Sequence, residues 1–296
     1  MPVTLSVAIV LWWLCYDARC CTDSELASDE MREAVRRHHD VSAAVMELAC
    51  NYDPETCESL RRFRPVVKGS RCLFAKDARL WGSRDWDASQ SIEANVRASV
   101  PTLLQMLLRG ESEGIDGFVF EVRCQREKGG PCGVLPSFAT DVYAFAEVVR
   151  RVLCEISDCD PSGERSARKS YVSDRAWHFV FARHPLFVTT FAPCYGPTSS
   201  RFAYGAASGK SCFVLLQPEY SFLIHDLPAD TPHTNWEAPE NIRDRIRISF
   251  KRAGQAYAIP STVHYPPAEH IVKPLEEGLA VIEWWKKGDG GVRSSL

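Results

Sequence analysis

Hydrophobic positions along the chain recur with two periods. Phe138, Val142, Phe145, Val149, Val152 and Ile156 fall three or four residues apart, the spacing that gathers them on one face of a helix. Residues 117–122 are largely β-branched or aromatic and alternate, which predicts a strand. Two further apolar runs, 177–181 and 186–191, are joined by Ala182-Arg183-His184-Pro185. They predict a hairpin, and the proline at its end predicts a loose turn. A strand over 212–216 is expected to end at Gln217-Pro218, and Pro239 to open a helix that carries Ile242, Ile246 and Phe250 on one side and closes at Gly254.

Elsewhere the pattern is weaker. Residues 23–50 read as a helix whose start is crowded with acids (Asp23, Glu25, Asp29, Glu30), as the helix dipole prefers. Asp53-Pro54-Glu55 reads as a second helix start, with a capping carboxylate and proline at the first helical position. Residues 65–67 and 72–75 suggest short strand or loop pieces, and Pro101 the beginning of a short apolar helix ending at Arg109-Gly110. The tail is irregular until 279–285, where Glu283-Trp284-Trp285-Lys286 reads as a segment docking aromatics into the core. No repeat or long linker divides the chain. Residues 1–22 read as a leader or disordered N-terminus, and 23–296 as one domain. Strands and helices alternate early and strands cluster later, which predicts a mixed α/β fold: a mostly antiparallel sheet flanked by helices.

Composition narrows the partners more than the chemistry. The 296 residues are 45% hydrophobic and 25% charged, with 35 basic against 38 acidic side chains and a net charge of -3. That balance offers no global attraction to nucleic acid or to an anionic membrane. The apolar run 5–16 is shorter than the roughly 20 residues a membrane span needs. It matches a signal-peptide core in length but lacks a basic residue before it. A cytoplasmic location is expected, with secretion the alternative if residues 1–20 act as a signal peptide. There are 12 cysteines, none in a Cys-x-x-Cys pair and none followed by suitably spaced histidines, so a structural zinc site is not indicated. Most of these thiols read as small buried hydrophobes.

Several motifs invite a sharper reading. Gly205-Ala206-Ala207-Ser208-Gly209-Lys210-Ser211 has three residues between its glycines where a phosphate loop has four, and it precedes a strand rather than a helix. It reads as a turn. No Gly-x-Ser-x-Gly elbow or His-Glu-x-x-His pair is present. His38-His39 lies on a polar stretch, and His178 alternates with Trp177, Phe179 and Phe181, so it faces away from those aromatics. Arg201, after Pro193-Cys194-Tyr195-Gly196-Pro197, is either a surface arginine or a clamp whose planar fork matches a carboxylate or propionate.

Taken in order, these segments resemble the YqcI/YcgG family over residues 45–287. The resemblance is carried by Arg71-Cys72-Leu73-Phe74-Ala75-Lys76, by Ser173-Asp174 before the aromatic strand Trp177-His178-Phe179, and by Phe187-Val188. Ala192-Pro193-Cys194-Tyr195, Ser200-Arg201-Phe202, Phe213 with Gln217-Pro218 and Phe222, Ile242-Arg243 and Glu283-Trp284 follow. Arg71 stands where the family usually has proline, and Lys251-Arg252-Ala253-Gly254 where it tends to have Tyr-Asp.

The family includes the haem-dependent N-hydroxylase of guanitoxin biosynthesis. The resemblance therefore implies haem b and a monooxygenase that N-hydroxylates a small guanidine- or amine-containing metabolite of secondary metabolism. It would use dioxygen and an electron donor that the sequence does not identify. It further implies Cys72 as the iron ligand, since a thiolate favours O–O cleavage, with Arg71 and Lys76 lowering its pKa. His178 is the competing ligand. Arg201 would pair with a haem propionate, and Trp177, Tyr195 and Gln217 would border the pocket. The alternative is a non-catalytic small-molecule- or haem-binding domain, secreted and disulfide-stabilised.

Overall fold

A computed structural model describes residues 52–123, 138–204, 211–225, 227, 233–257 and 267–287. Its centre is a five-stranded sheet: β1 (Leu80–Gly82), β2 (Gly117–Arg123), β3 (Phe179–Phe181), β4 (His184–Phe191) and β5 (Ser211–Pro218), in the order β1-β2-β5-β4-β3. β1 pairs with β2 in parallel and every other pairing is antiparallel. The mixed, mostly antiparallel sheet flanked by helices is the architecture the pattern predicts. β2 and β5 lie inside the sheet and are covered on both faces, which is why they read as near-continuous apolar runs. The helices are α1 (Glu58–Gly69), α2 (Leu73–Asp77), α3 (Ile92–Glu113), α4 (Val142–Asp158), α5 (Glu219–Ile224) and α6 (Ile242–Arg252). No helix among the described residues is long and apolar enough to cross a membrane.

Side chains alternate across the sheet, so each face has its own core. Phe118, Phe120 and Val122 of β2 and Cys212, Val214 and Leu216 of β5 pack with α3 and α4 in the larger cluster. On the other face Val119, Phe213 and Leu215 meet Leu60, Phe63 and Val66 of α1. The buried carboxylate of Glu121 ties α1 to this face, accepting from Arg62 Nη1 at 2.9 Å and from Ser211 Oγ at 2.6 Å. α1 covers only part of this face, and the remainder opens into a cleft.

Tertiary packing overrides local signals at two prolines. Residues 65–67 are helical within α1, where Leu60, Phe63 and Val66 are buried on one side. Residues 73–75 are also helical, in α2, rather than strand or loop. Pro101 lies inside α3 instead of starting it; the helix begins after Ser91, whose hydroxyl accepts from Ala94 N. Proline inside a helix costs about 3 kcal/mol. Burial of Ile92, Val96, Val100, Leu103 and Leu107 on one side of α3 outweighs that cost. Asp53 caps a turn, accepting from Glu55 N at 2.9 Å, and the helix starts later, at Glu58. α4 begins at Val142, after the Asp141 cap, so Phe138 precedes it. α6 likewise begins three residues beyond Pro239, behind the Asn241 cap.

Residues 279–287 form no helix or strand, but Trp284 docks as expected: it is buried, donates to Ala268 O at 2.8 Å and packs 6.1 Å from Trp177. The expected helix over 23–50, His38-His39 and the glycine-rich turn up to Lys210 lie outside the described residues.

The β3–β4 turn is tight, not loose. Only Ala182 and Arg183 link the strands, and Pro185 is accommodated opposite Val180. Both turn residues have positive φ, 50° and 65°, a region that costs residues with a Cβ about 1 kcal/mol or more. Asn-Gly satisfies the same turn without that strain. The double substitution Ala182→Asn, Arg183→Gly is therefore expected to raise stability by about 1 kcal/mol, read as a higher urea midpoint at unchanged m-value. A lower midpoint would mean that the Arg183 side chain contributes more than its backbone costs.

Candidate functional site

The register of β4 on β5 places Phe187 opposite Gln217 and Thr189 opposite Leu215, and these four residues form the sheet wall of the cleft. Facing them are Phe63 and Val66 of α1, Phe74 of α2, Phe222 of α5 and Ile246 and Phe250 of α6. The cleft holds a cavity of ≈ 150 Å³. Phe74 is held from behind: its ring meets the edge of His225 at 5.0 Å, and His225 Nε2 lies 2.8 Å from the buried carboxylate of Asp116. Asp116 also accepts from Ser221 Oγ at 3.1 Å and Arg79 N at 2.8 Å. These bonds fix α2, and with it the residue just before it, Cys72.

Beside neutral polar groups (Ser70, Thr189, Ser200, Gln217, Tyr257), the charged and titratable groups on this apolar wall are mainly basic. Arg201, Arg243, Lys273 and His270 line it, and no Asp or Glu does among the described residues. Arg201 is only 7% exposed. Its Nη1 donates to Thr190 O at 3.3 Å and its Nη2 to His270 O at 3.0 Å, and no carboxylate among the described residues lies within ion-pair distance. Burial pushes the guanidinium pKa down, while the neighbouring Tyr195 and Tyr257 oppose the shift. His270 is pushed down to about 4, first by burial and then by the charges of Lys273 and Arg201, so the imidazole is neutral at pH 7. The segment carrying His270 and Lys273 is pinned to the sheet by Thr190, whose hydroxyl donates to Ile271 O, and by Tyr195, whose hydroxyl donates to Lys273 O at 2.9 Å.

Of the residues singled out from the sequence, Cys72, Arg201 and Gln217 come together on this cleft. Lys76, Trp177, His178 and Tyr195 do not line it. Lys76 is exposed on α2. Trp177 is buried in the larger core and donates to Ser166 O at 3.0 Å. His178 stands part-exposed before β3, with Nδ1 3.3 Å from Ala176 O. Tyr195 sits behind the wall, edge-on to Phe145 at 5.9 Å. It positions Lys273 rather than facing a ligand.

The expectation that Arg71 and Lys76 would lower the Cys72 pKa is also corrected. Both are exposed, and burial raises the thiol pKa. The backbone N–H groups of Ala75 and Phe74, and the charge of Arg243, pull the other way without offsetting it. Cys57, Cys72, Cys154, Cys159 and Cys194 take part in no disulfide. Cys15, Cys20, Cys21, Cys50, Cys124 and Cys132 lie outside the described residues.

Sequence reasoning missed His270 and Lys273. They lie in a stretch with no helical or strand period, so no pattern marked them. Arg243 was visible only as part of the family resemblance. Set against models of protein families, curated proteins and solved structures, the chain matches none.

The buried neutral His270 makes stability depend on pH. Below 6.5 the unfolded chain protonates this imidazole, whereas the folded chain resists until about 4. The contribution is present above pH 6.5 and lost as pH falls toward 4, by up to about 3 kcal/mol. His270→Gln should therefore show a shallower fall in urea midpoint over that interval than the parent. Superimposable profiles would mean that His270 titrates normally.

Proposed function

We propose that the cleft is a haem site and that the chain is a YqcI/YcgG-type oxygenase N-hydroxylating a small guanidine- or amine-bearing metabolite. The observation that carries this reading is the convergence of Cys72, Arg201 and Gln217, from three separate stretches, on one cleft. The donor set suits the group. Haem b is a flat apolar macrocycle with two carboxylates, and the cleft offers aromatic walls, basic residues and one thiol. The cavity of ≈ 150 Å³ matches one that accepts a single benzene ring, so a macrocycle would have to widen it.

Bound there, haem would supply the activation of dioxygen; the protein's part is to ligate, orient and exclude water. In this reading Cys72 would hold the iron. Its thiol is protonated in the apolar wall, so ligation must release that proton, as coordination of a thiol does. The Phe74 and Ala75 N–H groups and Arg243 then face a thiolate they already favour. Gln217, 8% exposed on β5, presents an amide that can both donate to and accept from a substrate nitrogen. The net change is N–H plus O₂ plus two electrons and two protons to N–OH and water, with the electrons from an external donor. A second reading, a binding domain without catalysis, is favoured by the ring-sized cavity volume.

Haem titration of the purified chain distinguishes them. A saturable Soret band at one haem per chain is expected, with the carbon monoxide band of the reduced form at the thiolate position. Cys72→Ala should move that band or weaken binding about tenfold or more. No saturable band in folded protein would leave the binding-domain reading. A band untouched by Cys72→Ala would remove the thiolate assignment.

A further inference from the structure

We infer that the outer face of α6, together with Arg71, is the docking surface of an acidic electron-transfer protein, which passes electrons through the wall of the cleft. This rests on the oxygenase reading, whose external electron donor it identifies by class.

The cleft and a second, open groove share one wall. Along residues 71–74 the side chains alternate: Cys72 and Phe74 line the cleft, whereas Arg71 and Leu73 line the groove on the outside. α6, which packs on α2, divides in the same way. Arg243, Ile246 and Phe250 face the cleft. Arg245, Ile248, Ser249 and Arg252 face the groove, at the spacing that sets residues on one side of a helix. A single segment and one helix thus separate the groove from the thiol that would hold the iron.

Charge selects what docks there. Arg71, Arg245 and Arg252 are exposed, and none lies within ion-pair distance of a carboxylate among the described residues. The Nε of Arg245 donates only to Asn241 O, at 3.4 Å. Of the acids on the same stretch, Asp244 is buried, and Glu237 and Glu240 flank Pro239 without pairing to these arginines. The whole chain carries a net charge of -3, so this basic patch runs against the overall balance and steers a partner to one place. Leu73 and Ile248 give the arginines an apolar floor, and an apolar centre edged by arginine is how protein interfaces are built. The groove has no aromatic lining, unlike the enclosed pockets that hold small molecules.

The proposed N-hydroxylation takes two electrons per turnover. A one-electron carrier would dock twice, each time being oxidised by one electron while the cofactor in the cleft is reduced by one.

The test uses the full-length chain and, as probe, a plant-type [2Fe–2S] ferredoxin, a small acidic one-electron carrier. Calorimetry on the chain without haem should show binding that weakens as salt is added. Arg245→Glu and Arg252→Glu should each weaken it about tenfold or more. Arg175→Glu makes the same charge change at an exposed position that lines neither groove nor cleft, and should leave binding unaltered. In the haem-loaded chain, Arg245→Glu should slow reduction by ferredoxin and leave reduction by a small neutral photoreductant unchanged.

No binding to folded protein, binding indifferent to both groove arginines, an equal loss with Arg175→Glu, or ferredoxin-driven reduction untouched by Arg245→Glu would each overturn the inference. So would short duplex DNA that binds more tightly than ferredoxin with the same arginine dependence, which would mark the groove as a phosphate site. Haem uptake without ferredoxin binding would remove the docking surface and leave the oxygenase reading in place. Arginine-dependent ferredoxin binding to a chain that takes up no haem would uphold the surface and remove the oxygenase reading.

Discussion

The pairing of β4 with β5 is the constraint on which the rest depends. Because side chains alternate along a strand, this register sends Val188, Val214 and Leu216 into the larger core and Phe187, Thr189, Leu215 and Gln217 toward the cleft. A slip of one residue would exchange the two sets, exposing aliphatic side chains in the cleft and driving Gln217 into an apolar core. The apolar cost of that exchange fixes the register. The face that lines the cleft is thus specified by the packing on the other one.

Against that apolar frame, the charged groups near the cleft fall into two kinds. Asp116 and Glu121 are buried acids whose oxygens accept from several partners, and they hold α2, α5 and α1 to the sheet. Arg201 is buried too, but its partners are neutral carbonyls. The first kind is finished within the fold. The second is solvated by the fold but paired with no acid among the described residues.

What could be read in the sequence follows the same division. β2, β5 and α4 carry strong periods, and their faces were legible because burial is what those periods encode. Gln217 was found through a family-like motif and Arg201 first through the chemistry of its side chain, and both line the cleft. Trp177, His178 and Tyr195 were drawn in by the same motifs, yet Trp177 and Tyr195 serve packing and positioning, and His178 lies away from the cleft. A motif records that a residue type matters, not which way its side chain points. The helices across Pro65 and Pro101 were misread because local proline chemistry was weighed without the tertiary burial that overrules it. His270 and Lys273 left no trace, since hydrogen bonds from Thr190 and Tyr195 to their backbone, rather than any helix or strand, hold them in place.

The docking of Trp284 has a consequence for the order in which the molecule assembles. Its indole closes on Ala268 and Trp177, and the stretch between supplies the carbonyl of His270 to Arg201, a contact 69 residues apart in sequence. Contacts of that span form slowly, because loop closure must precede any gain from them. During synthesis the sheet and its helices emerge first, and the residues that complete the basic wall emerge last. A nascent chain thus has its hydrophobic frame before the cleft is whole, and the wall that carries Arg201 is closed only once residues 267–287 have docked.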